Sequence, residues 1–133
     1  MMLGPAMNVV DSSGWIEFFS AGRNGPAFRA VISERAALLV PTIALYEVCK
    51  ILERSLEPAL VATCLEAMRM GRVVDFTDAR ALVAARVSRQ HRLALADAAM
   101  YAIAQEHGAT LWTQDADYEG LPGVRYLAKA AAG

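Results

Sequence analysis

At 133 residues the chain has enough material for one domain with a core of its own and too little for two. Its 56% hydrophobic and 20% charged content excludes intrinsic disorder and points to an extra apolar surface covered by a partner or a second copy. A net charge of −1 gives no overall attraction to polyanions, so a nucleic-acid partner would need a local basic patch.

Asn8 to Asp11 reads as a short strand closed by an acid. Ser12 and Ser13 then offer N-cap hydroxyls to a helix carrying Trp15, Phe18 and Phe19 on one packing stripe. Gly, Asn and Pro make 21–26 a loop, and Pro26 suits the first turn of a helix over 27–34. Leu38 to Val40 is a second strand, followed at Pro41 and Thr42 by a helix whose apolar arc is Ala44, Leu45, Val48, Ile51 and Leu52, with Glu47 at its edge. After a break at 55–58, a helix over 59–70 completes a hairpin in which Met68 and Met70 serve the core or a partner surface.

Arg72 to Phe76 reads as a third strand and Thr77 as the cap of a helix over 78–92. There Ala79, Leu82, Val83 and Val87 are expected inside, and Arg86, Arg89 and Arg92 form a ridge outside. The ridge is either solvated surface or the best basic patch in the chain. An apolar helix from Leu95 carries Asp97 and stops at Gly108. Thr110 to Thr113 is a strand, Asp115 and Asp117 follow at once, and Val124 to Leu127 is the last strand. Strands alternating with helices predict an α/β sandwich, a short and mainly parallel sheet flanked by helices.

Cys49 and Cys64 have no metal or redox spacing and read as buried free thiols of a reducing cytoplasm. His91 and His107 are expected at the surface and Tyr101 in packing. No run reaches the roughly 18 apolar residues that cross a bilayer, and MMLGPAM lacks the parts of a secretory signal. Met7 reads as the start of structure, with one domain at 7–128 and flexible ends at 1–6 and 129–133.

The acids carry the functional reading. A carboxylate left in an apolar setting costs several kcal/mol, roughly, unless something pairs it, so Asp97 inside its helix asks for a partner. Ligands of open parallel sheets bind at the carboxyl ends of strands. Asp11 and Asp115 lie at such ends, and Glu47 and Asp97 ride early turns of helices on the same edge, so all four can meet in one cleft. Oxygen donors without His or Cys favour Mg²⁺ or Mn²⁺. Plainer readings stand beside this one: Asp11 as a strand-end cap, Glu47 as a surface acid, Asp115 and Asp117 as turn formers, Ser12 as a helix cap or a partner of Asp11.

The chain resembles the PIN-domain ribonucleases, and among them the VapC-type toxins of toxin-antitoxin operons. The resemblance runs from Met7 to Leu127 and is carried by NVVDSSGWIE, the Glu of LYEV, LALADAAMYAIAQEHGATLWTQDADY and GLPGVRYL. It matches Asp11, Glu47, Asp97 and Asp115 to the family's acidic quartet and Thr113 to its hydroxyl residue. Tyr118 stands where Phe is commoner, a departure expected to leave the acids untouched.

The implied activity is a Mg²⁺- or Mn²⁺-dependent endoribonuclease that cuts structured RNA such as tRNA or rRNA by metal-activated water, leaving 3′-hydroxyl and 5′-phosphate ends. Asp11 and Asp97 would be the primary metal ligands, with Asp115 completing the site directly or through water. Glu47 would join a second metal or position the nucleophile. Ser12, Thr113 and Asp117 would support them, and Arg86 and Arg89 would hold RNA. A VapB-like antitoxin crossing the acidic cleft and a homodimer are the implied partners. Two rivals are a receiver-like phosphoacceptor, for which Lys50 and Lys129 are poorly placed, and a catalytically silent PIN-like scaffold.

Overall fold

Every strand of the sheet runs parallel to its neighbours. In the computed structural model, which describes residues 6–129, these are β1 (Asn8–Val10), β2 (Leu38–Pro41), β3 (Arg72–Val74), β4 (Thr110–Thr113) and β5 (Val124–Tyr126), in the order β3-β2-β1-β4-β5. The helices are α1 (Ser12–Phe19), α2 (Gly25–Ile32), α3 (Thr42–Leu52), α4 (Pro58–Met68), α5 (Asp78–His91) and α6 (Leu95–Glu106), with 3₁₀ turns at Arg35–Ala37 and Ala116–Tyr118. This is the expected α/β sandwich. The expected flexible ends lie, apart from Ala6 and Lys129, outside the described residues.

Parallel strands covered on both faces read as unbroken apolar runs, which is why NVV and LLVP carry no alternation. Val9 pairs with Leu39 on one side and Leu111 on the other, and all three are fully buried. From β1 the chain steps outward to β2 and β3, then returns across the sheet to β4 on the other side of β1. The order therefore reverses between β1 and β4, and the crevice beyond their carboxyl ends is the natural ligand site.

Close packing at that crevice depends on Gly14. A Cβ there would lie 2.6 Å from Val10 Cγ1 and 2.8 Å from the Phe28 ring, so only glycine lets the first turn of α1 sit down on β1 and α2.

Several side chains face differently from the expectation. In α5 the buried residues are Ala84 and Val87, whereas Leu82 is 64% and Val83 46% exposed and Ala79 is exposed too. The reason is packing on α6, whose 98–104 stretch is buried throughout: small Ala84 allows a closer approach than Leu82 would. Arg80 pairs with Glu106 at 2.9 Å, tying the start of α5 to the end of α6. In α3, Ile51 lies outside the buried face made by Ala44, Val48 and Leu52. Met68 is core and Met70 is exposed.

The cysteines are free but only half-buried, because α4 covers α3 incompletely; Cys49 Sγ donates to Glu53 Oε1 at 3.2 Å. His91 and His107 are half-buried as well, His91 edge-on to Tyr101 at 5.5 Å and His107 against the carbonyl of Ile103 at 2.9 Å. Tyr101 is packed inside as expected. No helix among the described residues is long and apolar enough to cross a membrane.

Candidate metal centre

Asp11 and Asp115 of the crevice follow strand ends, Asp97 lies in the first turn of α6, and Glu47 lies in the middle of α3. Asp11 is the first residue beyond β1, and its amide still bonds the carbonyl of Trp112, which seats the residue between β1 and β4. It is also the N-cap of α1: its Oδ1 accepts from the amide of Gly14 at 2.9 Å. Ser12 and Ser13 are therefore not the caps expected of them. They begin the helix because a carboxylate has taken the capping position. Ser13 Oγ donates to Asp11 Oδ1 at 2.7 Å, and Ser12 Oγ donates to Glu47 Oε1 at 2.6 Å.

Thr113, fully buried at the end of β4, donates to Asp11 Oδ2 at 2.6 Å and accepts from the amide of Asp115 at 2.8 Å. Asp115 caps the turn Ala116–Tyr118 by accepting from the amide of Asp117 at 2.9 Å. It is thus a turn former and a site acid at once. Asp97 lies in the first turn of α6, where Ala94 supplies no side-chain cap and the helix dipole favours negative charge.

The acids share a field. Burial raises the Asp97 carboxyl from 3.8 to about 6, with the charges of Asp115, Glu47 and Asp11 adding to it and a bond from Tyr118 opposing. Asp11 is likewise raised to about 6, first by burial, against the bonds from Thr113, Gly14 and Ser13. Burial leads both shifts, and neighbouring carboxylates without a countercharge add to it.

Asp97, Asp115 and Asp117 each offer a carboxylate oxygen within 4.8 Å of the others. They are the one such group of three or more among the described residues. Asp11 and Glu47 stand outside it; Asp11 accepts two hydrogen bonds at Oδ1 and one at Oδ2, which leaves a lone pair of Oδ2 free. The donors are oxygens alone, without His or Cys, and this set fits a hard divalent cation.

Residues 9–124 match the PIN domain family. The chain belongs to that family. The PIN domain here also resembles solved structures in fold. A toxin-antitoxin complex from Klebsiella pneumoniae superposes with a TM-score of 0.78 at 21% identity, over 92% of this chain and 99% of that one. The sarcin-ricin loop cleaving toxin VapC20 of Mycobacterium tuberculosis gives 0.70 at 18% identity, over 88% and 96%. DNA-bound VapBC from Salmonella typhimurium gives 0.69 at 16%, over 93% and 98%. No curated protein sequence matches the chain.

Two details of this PIN domain's crevice depend on the turn after Asp115. Asp117, expected as a support, brings a carboxylate oxygen within 4.8 Å of those of Asp97 and Asp115, because the tight turn after Asp115 carries it back to the same point. Tyr118 does not leave the acids untouched: its ring is fully buried and its hydroxyl donates to Asp97 O at 3.0 Å and Oδ1 at 3.3 Å. The D-x-D-Y spacing could have suggested the first. Nothing in the sequence points to the second, since α6 and this turn meet only in the folded chain. Arg86 and Arg89 are exposed on α5, whose carboxyl end leads through Leu93 and Ala94 directly into the turn of α6 holding Asp97.

Proposed function

We propose that the chain is a Mg²⁺- or Mn²⁺-dependent endoribonuclease toxin that cleaves structured RNA and is held inactive by a VapB-like antitoxin. The observation carrying this reading is the trio Asp97, Asp115 and Asp117, its oxygens within 4.8 Å of one another at the crevice where the strand order reverses. When bound, a divalent ion there supplies Lewis-acid stabilisation of phosphate charge and an activated water.

The residues of the chain divide the remaining work. Asp97 and Asp115 would hold the cation, with Asp117 beside them, and Asp11 would join them through the lone pair left free on its Oδ2. Thr113 keeps Asp11 and Asp115 in fixed relation, and Ser12 steers Glu47, which orients the attacking water or a second ion. Arg86 and Arg89 take RNA phosphates on the α5 side. The same acidity makes the crevice a site for a basic segment of the antitoxin, in keeping with the toxin-antitoxin assemblies of similar fold. Tyr46 at 60% and Leu60 at 49% exposure, on α3 and α4, offer apolar contacts for a homodimer. The proposed setting is the cytoplasm, where RNA and antitoxin both reside.

The test is cleavage by purified, antitoxin-free protein of total RNA in Mg²⁺ or Mn²⁺, with ends mapped beside a folded Asp97→Asn variant. The reading requires metal-dependent cuts that the variant lacks. No cleavage by the parent would favour a silent PIN-like scaffold, and equal cleavage by Asp97→Asn would remove the metal role.

A further inference from the structure

Tyr118 joins two elements that each carry a metal-binding acid. It closes the turn Ala116–Tyr118, which begins at Asp115 and contains Asp117, and its hydroxyl reaches across to the first turn of α6. A buried phenol needs an acceptor, and the main-chain oxygen of Asp97 at 3.0 Å meets that need alone. The carboxylate oxygen Oδ1 lies within reach as well, at 3.3 Å, so the one hydroxyl proton is shared between the main chain and the side chain of Asp97.

One helical turn along α6, Tyr101 donates to the carbonyl of Pro122 at 2.6 Å, and the two rings lie 6.4 Å apart. Two phenols thus tie α6 to one stretch of chain, yet only Tyr118 touches an acid. The Tyr101 hydroxyl touches no acid and serves as an internal control.

We propose that the Tyr118 hydroxyl is a positioning residue that holds the Asp97 carboxylate against the Asp115–Asp117 turn and thereby sets the affinity of the centre for its cation. The proposal rests on the metal-centre reading above. It assigns to the hydroxyl what a phenylalanine ring at this position cannot do. Partners that orient ligands commonly govern about 10- to 100-fold in metal affinity, and a bond of 3.3 Å belongs at the low end.

The experiment is a Mn²⁺ titration of chelator-treated protein, free Mn²⁺ being read by electron paramagnetic resonance, on the parent, Tyr118→Phe, Tyr101→Phe and Asp97→Asn, with a thermal melt of each. Both Tyr→Phe variants keep their rings and their packing. The expected result is a Kd weakened about 10-fold in Tyr118→Phe and unchanged within about twofold in Tyr101→Phe, although each variant loses one phenolic hydrogen bond of similar worth to the fold. If Tyr118→Phe binds Mn²⁺ as tightly as the parent, the positioning role is overturned and the metal centre stands. Equal weakening in both variants would mean general loosening and would overturn it too. A parent that binds no Mn²⁺ removes the metal centre and this proposal together.

Discussion

Thr113 donates its hydroxyl to Asp11 Oδ2 at 2.6 Å, joining residues 102 positions apart. Thr113 Oγ1 in turn accepts from the amide of Asp115 at 2.8 Å, so one buried hydroxyl holds both strand-end acids. Thr113→Val keeps the shape and removes both bonds. The expected outcome is a loss of about 1–3 kcal/mol in urea denaturation and a loss of RNA cleavage of at least about tenfold, while Thr113→Ser retains most of both. Full activity in the valine variant would break the link between this hydroxyl and the centre.

Burial raises Asp97 and Asp11 to about 6 from 3.8, which fixes the sign of a pH effect in metal-free protein. In the unfolded chain both acids ionise near 4, so between about pH 4 and 6 the folded state binds more protons. Their ionisation therefore costs nothing below that window and its full amount above it. Asp97→Asn is expected to raise the stability of chelator-treated protein at pH 7.5 by about 1 kcal/mol, or roughly 3–5 °C in Tm, the figure being reduced for the partial exposure of Asp97. The gap between variant and parent should narrow as the pH falls through the window. Melts at several pH values read this directly, and a constant gap would mean that Asp97 titrates normally.

Ser12 Oγ and Glu47 Oε1 are 2.6 Å apart, linking α1 to α3 at the edge of the crevice. If Ser12 acts by steering Glu47, then Ser12→Ala should lower RNA cleavage several-fold and add little to a Glu47→Gln background. A double-mutant cycle on cleavage rates measures this. Fully additive losses would show that the two side chains act separately.

The exposed Arg86 and Arg89 give a prediction with its own readout. Replacing both by Ala should weaken RNA binding and reduce the slope of log K against log salt by about 1–2, as expected for two lost phosphate contacts. An unchanged slope would return them to ordinary solvated surface.

What the sequence by itself determined were local features. Apolar runs too short for helices are strands, Pro26 and Gly108 punctuate helices, and an acid at the end of a strand is visible as such. Asp11, Glu47, Asp97 and Asp115 could be named because each breaks an apolar pattern or follows one. The direction of α5 could not be read the same way. Ala79, Leu82, Val83, Ala84 and Val87 spread over too much of its circumference for periodicity to choose a buried face, and the alanines of α6 made the choice. Likewise, only tertiary structure decided that Asp117 comes beside Asp97 and Asp115, that Thr113 reaches Asp11, and that Tyr118 bears on Asp97. Those relations depend on how β1 is registered against β4 and on where α6 meets the turn after Asp115. Contacts between distant segments follow from packing of the whole core and leave no period in the sequence to be read.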